Sequence, residues 1–310
     1  MTALICGSFA YDTIMVFNDQ FKNHILPEKV HILNVSFQVP QLRREFGGCA
    51  GNIAYNLKLL GGEPLPLGTV GRDFGPYAEW MDRHNVPRRH IKVCDDAYTA
   101  QAFITTDQDD NQITAFHPGA MNRSHEVRVP TDAGVKLGIV SPDGRDGMLQ
   151  HARELADANI PFIFDPGQGM PLFDGKDLLR FLDQATWATF NDYEAELVQQ
   201  RTGKSLTDLA GYVDAFIVTL AGKGSRIYVD GQTLDIPIAS AAALKDPTGC
   251  GDAYRAGLLY GLSKGMDWKT TGRVASLIGA IKIESNGTQN HNFTSAQFAT
   301  RFRQEFGYAL

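Results

Sequence analysis

Asp246-Pro247-Thr248-Gly249-Cys250-Gly251-Asp252 runs straight into Ala253-Tyr254-Arg255-Ala256-Gly257-Leu258-Leu259-Tyr260-Gly261-Leu262, a glycine-bracketed turn that opens an apolar helix. Such a turn points several backbone N–H groups, and the positive end of the helix, at one spot. An anion held there sits beside the carboxylate of Asp252. The pairing suits phosphoryl transfer: amides absorb charge on the moving phosphoryl group while the carboxylate takes a proton from the attacking hydroxyl. A glycine loop that merely lets a helix pack is the plainer alternative, and Gly-x-Gly alone would support it. Two aspartates flanking Thr-Gly-Cys-Gly at a helix start make a narrower pattern.

The segment resembles the C-terminal signature of the PfkB (ribokinase-like) carbohydrate and nucleoside kinases. Gly47-Gly48-Cys49-Ala50-Gly51-Asn52-Ile53-Ala54, followed by Gly61 and Gly71, resembles the N-terminal signature of the same family. Cys250 departs from the family's usual alanine. The anion hole uses main-chain amides, so a small side chain is tolerated, although a thiol there is open to oxidation.

The chain has 310 residues, 43% of them hydrophobic, enough for one large α/β domain or two ordinary ones. A net charge of −6 and scattered basic residues argue against a nucleic-acid track. Cysteines 6, 49, 94 and 250 are widely separated, without Cys-x-x-Cys or companion His spacing, so free thiols are expected. No window reaches the ~20 apolar residues of a membrane span, and the N-terminus carries no basic export region. A soluble cytoplasmic protein is expected.

Leu4–Gly7 reads as a buried strand, Ala50–Leu60 as a helix, Leu65–Val70 as a strand and Tyr77–His84 as a helix. Beyond residue 130, short strands at Leu137–Val140, Phe162–Phe164, Trp187–Phe190 and Phe216–Leu220 alternate with helices near 145–158, 176–184, 192–201 and 205–210. That alternation implies a parallel sheet covered on both faces. Ile227–Val229 and Thr233–Ile238 read as an antiparallel pair, and long helices near 250–264 and 269–284 close the domain. The β-rich runs at 13–46 and 98–117 fit poorly inside such a sheet; the second reads as a hairpin around Asp107-Gln108-Asp109-Asp110-Asn111. They are expected to form a small β-sheet lid over the carboxyl edge of the sheet. The resemblance implies the same: a ribokinase-like three-layer α/β/α core with a lid, as one kinase domain over 1–310.

The resemblance makes Asp252 the general base and Gly249, Cys250 and Gly251 the anion hole. An acidic residue that simply complements the helix dipole is the plainer, less favoured alternative for Asp252. Asp246 helps place a monovalent cation such as K+ in many relatives; a plain turn aspartate is the local alternative. Asp12, Gly48 and Asn52 match the family's sugar-hydroxyl ligands, a carboxylate and a carboxamide that together hold vicinal hydroxyls. Singly, Asp12 reads as a turn residue and Asn52 as a helix-start residue. Asn191 and Glu194 match an Asn-x-x-Glu motif whose carboxylate acts through water on Mg2+, or else form a helix cap. Thr219, Gly222 and Gly224 resemble the family's nucleotide turn. Ala221 stands at its usual first glycine, a role Gly222 is expected to take over. Ser285–Gln289 is expected near the adenine, and Ser141-Pro142-Asp143 as an ordinary turn.

No Walker A loop, metal-binding His spacing or dinucleotide fingerprint is present. Arg43 and Arg44, adjacent in extended chain, point to opposite faces and cannot readily clamp one sugar phosphate. The lid offers Phe17, Phe37, Phe46, Phe103, Phe116, Met15 and Gln101 to a nucleobase, although any one of them is more often lid core. From these, Gln101, Phe103 and Phe116 are the expected base contacts. The resemblance therefore implies an ATP- and Mg2+-dependent kinase acting at the ribose 5′-hydroxyl of a nucleoside, with a purine such as adenosine expected. A sugar kinase for ribose or fructose and a non-catalytic nucleoside-binding protein on the same fold remain alternatives. A monomer and a lid-mediated homodimer are both compatible with the chain.

Overall fold

The computed structural model describes residues 1–25, 32, 34–109 and 111–310. Residues 26–31 and 33 of the expected lid, and Asp110 of its expected turn, lie outside the described residues.

Nine strands form one sheet among the described residues. Within it, β1 (Thr2–Cys6) is bonded in parallel to β4 (Glu63–Gly71) on one side and β8 (Val135–Val140) on the other. Parallel strands β5 (His90–Cys94) beyond β4, and β9 (Phe162–Phe164), β10 (Trp187–Asn191) and β11 (Ala215–Thr219) beyond β8, widen it. Antiparallel β12 (Ser225–Val229) and β13 (Gln232–Ile236) finish one edge.

Side chains of β1 alternate between two cores, the mark of a strand buried on both faces. Ala3 and Ile5 pack with Ile53 and Leu57 of α1 (Cys49–Leu59) and Leu258 of α7 (Cys250–Ser263). Leu4 and Cys6 pack with Met148 and Leu155 of α3 (Arg145–Asp157). Helices α2 (Gly75–Arg83) and α8 (Trp268–Ile283) join the first layer, and α4 (Gly175–Gln184) and α5 (Asp192–Thr202) join the second. The result is a three-layer α/β/α core, as the resemblance implies. Short α6 (Leu206–Ala210) and terminal α9 (Ser295–Phe306) complete the helices.

The lid is a separate four-stranded sheet in the order β3 (Gln41–Gly47), β2 (Ala10–Val16), β6 (Ala100–Thr106), β7 (Gln112–His117). Strand β5 and helix α9 have no counterpart in the sequence reading. His90 and Lys92 interrupt the apolar signal of β5, an edge strand whose middle is half exposed.

Candidate active site

Two helix starts meet at the site. Gly48, at the N-cap of α1, has φ +85°, and a Cβ there would lie 2.6 Å from Ser8 O, Phe9 Cα and Ala10 N. Backbone crosses backbone at this point, so only glycine fits. The turn delivers Asn52 on the first turn of α1. Gly249, the N-cap of α7, has φ +79°, with its missing Cβ facing Thr288 at 3.0 Å. That turn delivers Asp252. Asn52 Nδ2 donates to Asp252 Oδ2 at 2.8 Å.

A helix start leaves backbone donors unsatisfied, and a glycine N-cap offers no side chain to satisfy them. The N–H groups of Gly249, Gly251 and Asp252 have no acceptor among the described residues. Cys250 differs: its N–H donates to Pro247 O at 3.1 Å and closes the turn. The amide set beside Asp252 is therefore Gly249, Gly251 and Asp252, and Cys250 leaves the expected trio. Burial pushes the Cys250 thiol up to about 11, so it stays protonated and the expected oxidation sensitivity loses its basis.

Asp252 is partly buried. Burial raises its carboxyl to about 6, the Asn52 bond lowers it, Asp165 raises it and Arg255 lowers it. Arg255, one turn along α7, forms a two-bond pair with Asp165 (Nε–Oδ2 3.1 Å, Nη2–Oδ1 3.0 Å), both residues buried. Sequence reading missed this pair. Its signals were an arginine three residues past Asp252 in an apolar helix and an aspartate just after β9.

The Asn52 carboxamide is itself held. Its Oδ1 accepts from Gln289 Nε2 at 2.9 Å, and Gln289 also bonds Tyr77 and Trp80. Thr288 Oγ1 donates to Phe46 O. Thr288 and Gln289, expected beside an adenine, are thus engaged with the lid base and with Asn52, Tyr77 and Trp80. Asp246 accepts from Thr248 N and Gly287 N, both at 2.9 Å, and so orders the loop before α7.

A cleft of about 780 Å³ opens between the lid and this loop, lined by Asp12, Ile14, Ile104, Glu45, Thr248 and Gly287 among others. That size suits a small organic ligand. Asp252 does not line it and follows the Asp246–Thr248 wall on α7. Burial, then the Glu45 and Asp246 carboxylates, raise Asp12 to about 6.

Lid register decides which side chains share the face of Asp12. Asp12 stands opposite Ala102, and Ala102 opposite Phe116. Paired residues project to one side of a sheet and their neighbours to the other. Phe116 is therefore on the Asp12 face. Gln101 and Phe103 are on the opposite face, where Gln101 Nε2 donates to Thr13 Oγ1 at 2.8 Å. Gln101 and Phe103 thus stand apart from the cleft, whose apolar lining includes Ile14, Val16, Leu42 and Ile104. Phe17 and Phe37 cluster with Phe21 at ring separations of 4.8 to 5.9 Å, and Phe46 packs on Tyr77, so all are lid or interface core.

Asn191 and Glu194 form a complete capping box at α5: Asn191 Oδ1 accepts from Glu194 N at 2.7 Å and Glu194 Oε2 from Asn191 N at 2.8 Å. Burial and Asp165 raise the Glu194 carboxyl. Thr219 ends β11 opposite Asn191 of β10. After it, Ala221 takes a left-handed φ of +48°, with Gly224 at +86°, while Gly222 keeps an ordinary φ. Ala221, not Gly222, fills the left-handed position, at a strain of about 1–2 kcal/mol.

The family model described as pfkB family carbohydrate kinase matches residues 14–295. A nucleoside kinase of Methanocaldococcus jannaschii is 31% identical over 266 residues, 85% of this chain and 87% of the relative. Among solved structures, Burkholderia thailandensis nucleoside kinase in complex with inosine shares 52% identity and a TM-score of 0.90, with 99% of each chain covered. The ADP-inosine complex of the same kinase aligns with a TM-score of 0.87 at 53% identity, covering 99% of this chain and 97% of that one. With both signatures at facing helix starts and the match running through lid and core, the chain belongs to the pfkB family of carbohydrate kinases.

Proposed function

We propose that this chain is an ATP-dependent nucleoside kinase that phosphorylates the ribose 5′-hydroxyl of a purine nucleoside. The observation that carries the reading is the Asn52–Asp252 bond beside three amides without acceptors among the described residues. The nucleoside assignment is supported by the inosine complex of the Burkholderia relative and by the apolar Ile14, Val16 and Ile104 next to Asp12 in the cleft. The chain from 1 to 310 acts as one kinase domain, with a lid from about 13–46 and 98–117.

Asp12, Gly48 and Asn52 hold the ribose, and Phe116 borders the base. Thr219, Gly222 and Gly224 receive the nucleotide. Asp252 accepts the 5′-hydroxyl proton as the oxygen bonds to the γ-phosphorus and the bond from that phosphorus to the β–γ bridging oxygen breaks, releasing ADP. The Gly249, Gly251 and Asp252 amides meet the charge on the transferring group. Lid closure excludes the water that would otherwise receive the phosphoryl group.

Glu194 fits a water-mediated role toward Mg2+. Each of its oxygens accepts one bond from Asn191, which leaves lone pairs for metal-bound water. When bound, the ion neutralises charge on the β- and γ-phosphates.

The test is ADP release with adenosine, inosine, guanosine, cytidine, ribose and fructose. Purine nucleosides are expected to give the highest kcat/KM. Preference for a free sugar would overturn the nucleoside reading, and binding of a nucleoside without ADP release from any acceptor would overturn the kinase reading.

A further inference from the structure

Lys282 is fully buried in the last turn of α8, at 0% exposure. A buried ammonium is costly unless oxygens replace its water. Its partners are main-chain carbonyls: Nζ donates to Asp246 O at 2.7 Å and Ser285 O at 3.4 Å. The Ser285 contact is what a last-turn lysine makes with its own helix exit. The Asp246 contact is different, since it reaches the loop that precedes α7, 36 residues away. Through that residue the charge is tied to the phosphate loop. Asp246 holds Thr248 N with one carboxylate oxygen and Gly287 N with the other, and Thr248 precedes the Gly249 turn.

Neutral carbonyl oxygens gathered around one positive charge are also the environment of a desolvated monovalent cation. Asp246 is the residue through which the family resemblance implies such an ion. Here the ammonium takes up its carbonyl, so the residues present do not fit a second cation at that point. We propose that Lys282 is a built-in cation that fixes the loop before α7 and supplies permanent positive charge behind the phosphate site, so that turnover requires no K+. Lys282 acts through Asp246 and is a positioning residue. The inference rests on the kinase reading for its effect on rate, but not for its effect on cation binding.

The test uses the full chain in buffers whose only added salt is choline chloride, KCl or NaCl at constant ionic strength. Wild-type ADP release is expected to vary less than about twofold between choline and K+. Lys282→Ser is expected to lose tenfold or more in kcat in choline with little change in nucleoside KM, and to recover at least fivefold in KCl. Its Tm should rise with KCl relative to choline, while the wild-type Tm does not, a readout that stands even if no acceptor releases ADP. Lys282→Gln, which keeps a neutral donor on a side chain one atom shorter, replaces the serine variant if that variant does not fold. Tenfold activation of the wild type by K+ would overturn the proposal. So would a folded variant that K+ neither rescues nor stabilises, because Lys282 would then be only a structural pin.

Discussion

Replacing Asp252 by Asn removes the proposed proton acceptor and also relieves a buried charge. The two effects should have opposite signs in activity and stability. Its carboxyl is raised from 3.8 to about 6, chiefly by burial. The folded state therefore binds the proton more tightly than the unfolded chain. Stability falls as pH climbs from about 4 to 6, and the whole cost is present above that range. A shift of about two units corresponds to roughly 3 kcal/mol at pH 7.5 and about half of that at pH 5. Asn keeps the acceptor for Asn52 Nδ2, so these figures are upper limits for the stabilisation by Asp252→Asn. An unfolding entropy of about 2.1 cal/mol/K per residue converts them to Tm increases of about 4–5 °C and 2–3 °C. Over the same substitution kcat should fall by about 10²–10⁴, the usual contribution of a positioned base. The acid limb of the wild-type rate profile, with its midpoint near pH 6, should disappear. Calorimetry at both pH values and steady-state ADP release give both halves. A kcat within tenfold of wild type would refute the base role, and an unchanged or lower Tm at pH 7.5 would refute burial as the origin of the raised carboxyl.

Asn52→Ala should raise the nucleoside KM at least tenfold while the ATP KM moves less than threefold. It should also shift the acid limb upward, because Asp252 loses the donor that stabilises its charged form; steady-state kinetics across pH 5–8 checks both. Ile104→Ala and Phe103→Ala test which lid face meets the base. The first should raise the nucleoside KM about tenfold, the second less than twofold, and the reverse order would mean that the lid engages its ligand from the other side.

Much of the fold was legible because its signals are local. The apolar run of β1, the βα alternation after residue 130 and the glycine turns at Gly48 and Gly249 each depend on a few neighbouring residues. What escaped depends on pairing across the chain. Gln101 and Phe103 were assigned to the base because aromatic and amide side chains suit it, yet a one-residue difference in strand parity sends them to the other face. The Arg255–Asp165 pair joins positions 90 residues apart. Lys282 sits between Ile281 and Ile283, and only tertiary packing shows it buried. At Asn191 and Glu194 the reading offered a cap and a phosphate role, and the capping box is what the geometry displays.

The hydrogen bond between Asn52 and Asp252 spans 200 residues of sequence. A ribosome adding about 5–20 residues per second needs roughly 10–40 s to cover that gap. On the proposed reading, the emerging N-terminal part holds throughout that interval only half of the catalytic pair and cannot commit a bound alcohol to chemistry. Competence arrives late and abruptly, once α7 docks against α1, and a prematurely terminated chain would be inert rather than a leaky consumer of ATP.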